Sequence, residues 1–251
     1  MSRKNNRYRW SDWMVVCLKG VFTSVVVLAG VVAVPAHAFV LGGTRVIMEE
    51  GKISTIQVIS SPQDNLLLIK ARVARDVSMQ TSAPELLVSP PLFRLDPGAR
   101  NQLRLTMVNP AGLPRDRESV RYLNVSGIPS SNPLSPDRGK MQAGMVIGQG
   151  AIIKVFWRPK GLPVPPDTTL HALRAHRVPA GIALENPTPY YISFSMLTAD
   201  GKYMTPAKDA QAMLAPFSSQ VYGTASVQKK EVQWTALNDL GAPVKGQTVV
   251  H

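Results

Sequence analysis

The chain is poor in the residues that carry most enzyme chemistry. Its 251 residues include one cysteine, Cys17, and four histidines. Cys17 lies in a leader-like segment, so the remainder has no thiol. That excludes a thiol nucleophile, a cysteine metal site and a disulfide-stapled scaffold, and leaves stability to a hydrophobic core. Of the histidines, His37 closes the leader, and His171 and His176 lie five apart without carboxylates at metal-ligand spacing. With His251 at the chain end, these read as surface residues, and no metal or cofactor is expected. There is no G-x-S-x-G turn and no Walker-type glycine loop. Gly148-Gln149-Gly150 sits in a strand context without a following helix, so it does not read as a phosphate loop. No catalytic residue is assigned, and the chain does not read as an enzyme.

Basic residues outnumber acidic ones, 28 to 16, for a net charge of +12. Beyond the leader-like segment no Lys/Arg run exceeds two residues and no basic cluster beside aromatics occurs, so nucleic-acid binding is not indicated. Long apolar runs are also missing. Val21 to Val34 spans roughly 14 residues, short of the ~20 that cross a bilayer. Arg3, Lys4, Arg7, Arg9 and Lys19 precede or flank it, and Ala36-His37-Ala38 places small residues at −3 and −1. Residues 1–38 therefore read as a signal peptide, with a retained anchor as the alternative. Removing five basic residues and Asp12 takes +4 of the +12, leaving about +8.

What is present is β texture. Short runs rich in Val, Ile, Leu and Thr alternate with Pro, Gly, Asn and Asp. Candidate strands are 46–48, 53–58, 66–73, 86–88, 102–107, 120–125 and 145–157. Further along come 181–184, 191–196, 220–223 and 232–236. Asp96-Pro97-Gly98 and Asn238-Asp239-Leu240-Gly241 read as turns, and residues 129–144 as a loop. No segment keeps a helical period, although a short helix around Leu170 to Arg177 is allowed. Arg158-Pro159-Lys160-Gly161-Leu162-Pro163-Val164-Pro165-Pro166 reads as a stiff linker. The expected fold is all-β, with two sandwiches of about 100 residues each.

Six segments are more specific. They are Gly43 to Gly51, Ser89 to Gly98, Pro114 to Asn124, Ile153 to Pro159, Asn186 to Tyr191, and Asn238 to Gly241. In this order they resemble the periplasmic chaperones of pilus (fimbrial) assembly in the chaperone–usher pathway, from about residue 40 to 242. The resemblance implies two immunoglobulin-like sandwiches in an L or boomerang arrangement, with an N-terminal domain at 39–162 and a C-terminal domain at 163–251. It implies a periplasmic protein that binds pilus subunits by donor-strand complementation and delivers them to an outer-membrane usher.

Site residues follow from the same resemblance. Arg45 and Lys154 match the cleft pair that anchors a subunit's C-terminal carboxylate, and charge-assisted hydrogen bonds suit that task. Glu118, Arg158 and Asp239 match an interdomain charged triad; three unrelated surface charges are the alternative. The donor strand is placed at Met145, Ile147 and Gln149, followed by Ala151. Gln149 departs from the bulky apolar pattern, since a buried glutamine costs free energy unless hydrogen-bonded. Its flanking glycines suggest a bulge or a close backbone approach. Lys154 has the opposite parity to Met145 and Ile147, and a bulge near Gly150 would bear on that. An open donor edge also invites self-capping by a dimer of the free protein. A structural pilus subunit or sandwich-built surface adhesin is the competing reading, with a periplasmic hydrolase behind it.

Overall fold

Leu67–Ala74 shows how the sequence makes its strands. From Leu67 to Arg72 its side chains are buried and exposed in strict alternation, as a strand with one face in a core requires. The computed structural model describes residues 39–63, 66–129, 148–199, 201–206, 213–223 and 231–251. The strands are β1 Val40–Leu41, β2 Arg45–Glu49, β3 Ser54–Ile59, β4 Leu67–Ala74, β5 Leu86–Ser89, β6 Leu92–Leu95, β7 Arg100–Met107, β8 Ser119–Pro129 and β9 Gln149–Arg158. Then follow β10 Arg174–Val178, β11 Gly181–Asn186, β12 Ile192–Ala199, β13 Lys202–Tyr203, β14 Thr205–Pro206, β15 Met213–Leu214, β16 Ser218–Gly223, β17 Glu231–Leu237 and β18 Pro243–Val249.

Strands β1–β9 form two facing sheets, β1-β3-β7-β5 and β2-β9-β8-β4-β6. Met48, Val58, Ile69, Leu103, Leu105, Leu123, Val125 and Trp157 fill the space between them. The later strands repeat the plan with sheets β10-β11-β16-β14 and β13-β12-β17-β18. Their core is built on Ile182, Leu184, Ile192, Tyr222, Val232 and Trp234. All pairings are antiparallel within these strands except β2 with β9, which is parallel.

Three local expectations change. The short helix is a 3-10 turn at Asp167–Ala172, and the next residues, Arg174–Val178, are strand β10 rather than helix. The ladder of β9 with β8 runs from Gln149 to Trp157 in one unbroken register, so there is no bulge at Gly150. The irregularity lies instead in β12, between Phe194 and Met196. Strands β6, β10 and β18 were not visible as alternating segments. His176 also has a carboxylate partner, Glu185, at 3.1 Å, supplied by the neighbouring strand rather than by sequence proximity.

Candidate functional site: a cationic pair beside a buried triad

On β9 the odd-numbered residues Ile153, Val155 and Trp157 enter the first core. The even-numbered residues Ile152, Lys154, Phe156 and Arg158 therefore lie on the opposite face. The same holds on β2, where Val46 and Met48 enter the core and Arg45, Ile47 and Glu49 do not. Lys154 thus belongs to the face turned away from the first core. The parallel register pairs Arg45 with Lys154, Ile47 with Phe156, and Glu49 with Arg158. Two of the predicted anchor residues are therefore neighbours on one rung.

That rung meets a rung of the second sandwich. Arg45 Nη1 donates to the Leu237 carbonyl at 3.1 Å, and Lys154 Nζ donates to Ser193 Oγ at 3.4 Å. Ser193 and Leu237 are themselves partners in the β12–β17 ladder. Arg45 also lies over the Phe156 ring at 5.9 Å, and Phe156 packs on Tyr191 with ring centroids 5.6 Å apart. Arg45 Nε is buried with no partner, a donor left open beside a cavity of about 30 Å³ that Arg45, Tyr191, Leu237 and Asp239 help to line. Burial lowers the pKa of Arg45, against the pull of Asp239 and Glu118. Burial, and then the charge of Arg45, lowers that of Lys154.

The predicted triad residues also come together. Arg158 Nε and Nη2 donate to Glu118 Oε1 at 3.1 and 2.6 Å. Its Nη1 and Nη2 donate to the two oxygens of Asp239 at 3.0 and 3.1 Å. Arg158 is only 2% exposed, so these forks replace water around a buried guanidinium. Glu118 Oε2 accepts the Tyr191 N–H at 2.9 Å, and the Glu118 N–H donates to the Pro189 carbonyl at 2.9 Å. Burial, opposed by the Tyr191 N–H and Arg158, raises the pKa of Glu118.

Two turns deliver the second-domain partners. Fully buried Asn186 uses its amide to bond the Tyr190 and Ala215 carbonyls at 2.7 and 2.9 Å and to accept from the Thr188 N–H at 3.0 Å. It thereby shapes Asn-Pro-Thr-Pro and presents Tyr190 and Tyr191. Asn238 Oδ1 accepts from the N–H groups of Leu240 and Ala242 at 3.1 and 2.9 Å, closing the turn that carries Asp239. In that turn Gly241 has φ +79°, and a Cβ there would stand 2.8 Å from Thr44 Oγ1. Glycine meets both demands.

The donor-strand expectation is described only in part. Met145 and Ile147 lie outside the described residues. Gln149 opens β9, half-buried, on the same face as the core residues. β2 pairs with β9 only from Lys154 to Arg158. Gln149–Ile153 is thus paired to β8 on one side and to no described strand on the other. Ser193 and the Leu237 carbonyl were missed from sequence, and Tyr190 and Tyr191 stood in a specific segment without a role. Ser193 and Leu237 are brought in across the domain contact, and no local pattern marks them.

The described residues thus form two sandwiches joined through a buried ionic cluster, with a cationic pair at the end of an open strand edge. Comparison with known proteins identifies the family. Residues 38–163 match the N-terminal domain model described as "Pili and flagellar-assembly chaperone, PapD N-terminal domain", and residues 168–248 match "Pili assembly chaperone PapD, C-terminal domain". The chain is 30% identical over 244 residues to the chaperone protein FimC of Escherichia coli K12, covering 96% of each. It is 34% identical over 227 residues to the probable fimbrial chaperone LpfB of E. coli O157:H7, covering 88% of this chain and 89% of that one. Among solved structures, a chain from the complex of Salmonella enterica SafA pilin with the SafB chaperone superposes with a TM-score of 0.73 at 26% identity, covering 86% of this chain and 98% of that one. The E. coli chaperone DraB superposes with a TM-score of 0.69 at 31% identity, with the same coverage. The chain belongs to the PapD family of pilus-assembly chaperones. It is an assembly chaperone rather than a structural pilus subunit.

Proposed function

We propose that this chaperone captures pilus subunits in the periplasm by lending them β9 as a missing strand, and hands them to an outer-membrane usher. The observation that carries the reading is the open edge at Gln149–Ile153, running directly into Lys154 and its neighbour Arg45. Chaperone–pilin donor-strand complementation is itself an established instance of β-augmentation, in which backbone bonds give affinity and alternate side chains give selectivity. Met145, Ile147 and Gln149 supply the alternate side chains. Arg45 and Lys154 take the subunit's terminal carboxylate, for which Arg45 Nε is an unengaged donor. That carboxylate relieves the repulsion between two neighbouring cations, so it fixes the subunit's register along β9.

In this reading, residues 1–38 are a signal peptide, 39–162 the strand-donating domain and 163–251 the second domain. The Glu118–Arg158–Asp239 triad sets the angle between them. The chaperone works without nucleotide, metal or catalytic group, and is not an enzyme. When free, its open edge is available to a second copy of the chain, which would cap it. The test is co-purification from periplasm with the β-rich subunits encoded nearby, for wild type and Lys154→Ala. A one-to-one complex lost in the variant supports both chaperone and anchor. A complex retained by the variant removes the anchor, and no complex at all removes the subunit-capturing role.

A further inference from the structure

A second polar site lies at one end of the first sandwich, between the end of β4, the start of β5 and the β7–β8 loop. Glu85 is 6% exposed, yet it carries two arginines. Arg75 Nε and Nη2 donate to its two oxygens at 3.1 and 3.0 Å, and Arg121 Nε donates at 2.6 Å. The Glu85 carbonyl meanwhile accepts the N–H groups of Val108 and Asn109 at 2.9 and 3.4 Å, tying in the loop. Arg121 Nη1 is spent on the Val120 carbonyl, and Asn109 Oδ1 on the Ala111 N–H. Arg75 Nη1, Arg121 Nη2 and Asn109 Nδ2 make no hydrogen bond with a described residue.

These groups line a recess of about 360 Å³, with Pro84 and Leu113 as apolar walls. It shares no residue with the small cavity beside Arg45. Its volume falls in the range of small-molecule sites, which combine apolar walls with a few convergent polar groups. The balance of the recess is distinctive. Two guanidinium groups against one carboxylate leave a net charge of +1, and the unused groups are donors without acceptors. A cation is repelled there, and a neutral donor finds no free acceptor. An anionic acceptor completes the set, and the two oxygens of a carboxylate can take one charge-assisted bond from each arginine's unused Nη group.

We propose that this recess binds a small organic carboxylate with a short apolar tail, its oxygens taken by Arg75, Arg121 and Asn109 and its tail by Pro84 and Leu113. The site is independent of subunit capture. Butyrate is the probe, with butyramide as its neutral isostere and sodium chloride at matched ionic strength as control. Nuclear magnetic resonance of the arginine Nε–H signals reads the result in the full-length protein. Butyrate is expected to shift two of these signals saturably, with a dissociation constant of about 1–10 mM, and butyramide at least fivefold more weakly. Arg75→Met, at a side chain 51% exposed, abolishes the saturable shift while subunit co-purification is unchanged. Should Arg75→Met disturb folding, Asn109→Ala serves the same purpose. Shifts that are unsaturable, equal with chloride or butyramide, or retained in these variants overturn the proposal.

Discussion

Arg45 and Lys154 stand side by side on one rung of the parallel β2–β9 ladder, and neither forms an ion pair with a described residue. Among the described residues their acceptors are neutral, the Leu237 carbonyl and the Ser193 hydroxyl. The free chaperone therefore keeps two partly desolvated cations next to each other, an arrangement that favours binding over stability.

The cost is measurable at Lys154. Its pKa is lowered by burial and then by Arg45, so the unfolded chain holds that proton to higher pH than the folded one. Folding stability from this group accordingly rises as pH climbs through the lowered value toward the ordinary 10.5. Lys154→Met should remove that dependence and raise the Tm at neutral pH by about 1–3 °C, while abolishing subunit recovery. Scanning calorimetry across pH decides it; a Tm below wild type would mean the desolvated cation carries no such cost.

The triad carries a different burden. Arg158→Met strands Glu118, whose side chain is 4% exposed. Breaking such a buried pair costs about 3–5 kcal/mol. Asp239 keeps 29% of its side chain exposed, so Asp239→Asn should cost about 1–2 kcal/mol. Urea unfolding should rank the two in that order, and equal costs would count against the buried-charge explanation.

Gly246 is where β18 crosses Trp234. The two are register partners, and a Cβ on Gly246 would lie 2.1 Å from Trp234 Cζ2. Gly246→Ala forces the indole or the strand aside, at about 1–3 kcal/mol. Tryptophan fluorescence during denaturation should show the second sandwich unfolding earlier. Gly150→Ala, whose Cβ would meet nothing closer than 3.6 Å, should leave the stability of the free chain within about 1 kcal/mol of wild type.

Glu85 gives an acid-side signature. Burial raises its pKa, but Arg75, its own backbone N–H and Arg121 outweigh that and bring it from 4.5 to about 2. A carboxylate with a depressed folded pKa contributes stability above its unfolded value and loses it as pH falls toward the folded one. The first sandwich should therefore weaken between about pH 4.5 and pH 2. Glu85→Gln should be less stable at pH 7 and show a flatter acid profile; an unchanged acid slope would mean the arginines do not hold the charge.

Much of this was legible in the sequence, unevenly. β4, β7 and β8 alternate apolar and polar residues because one face is buried, and that pattern is local. β18 opens with Pro243 and carries Lys245, Gly246 and Gln247, so it reads as loop; it becomes a strand by pairing with β17. Arg-Ala-His-Arg-Val in β10 is similarly neutral until β11 pairs with it. Arg45, Lys154, Glu118, Arg158 and Asp239 were singled out through family motifs, because no periodicity tells a cleft charge from a surface one. Ser193, Leu237 and the Arg75–Glu85–Arg121 cluster were invisible, since only folding brings such distant positions into contact.

In the proposed mode of capture, the open edge of β9 is filled by a strand from the bound subunit. Hydrogen–deuterium exchange of residues 148–153, in the free chaperone and in its complex with a subunit, tests it directly. Backbone pairing on that edge predicts strong slowing of exchange in this segment on complex formation, with little change over 154–158, which β2 already pairs. A stable complex that leaves exchange at 148–153 unaltered would contradict strand donation.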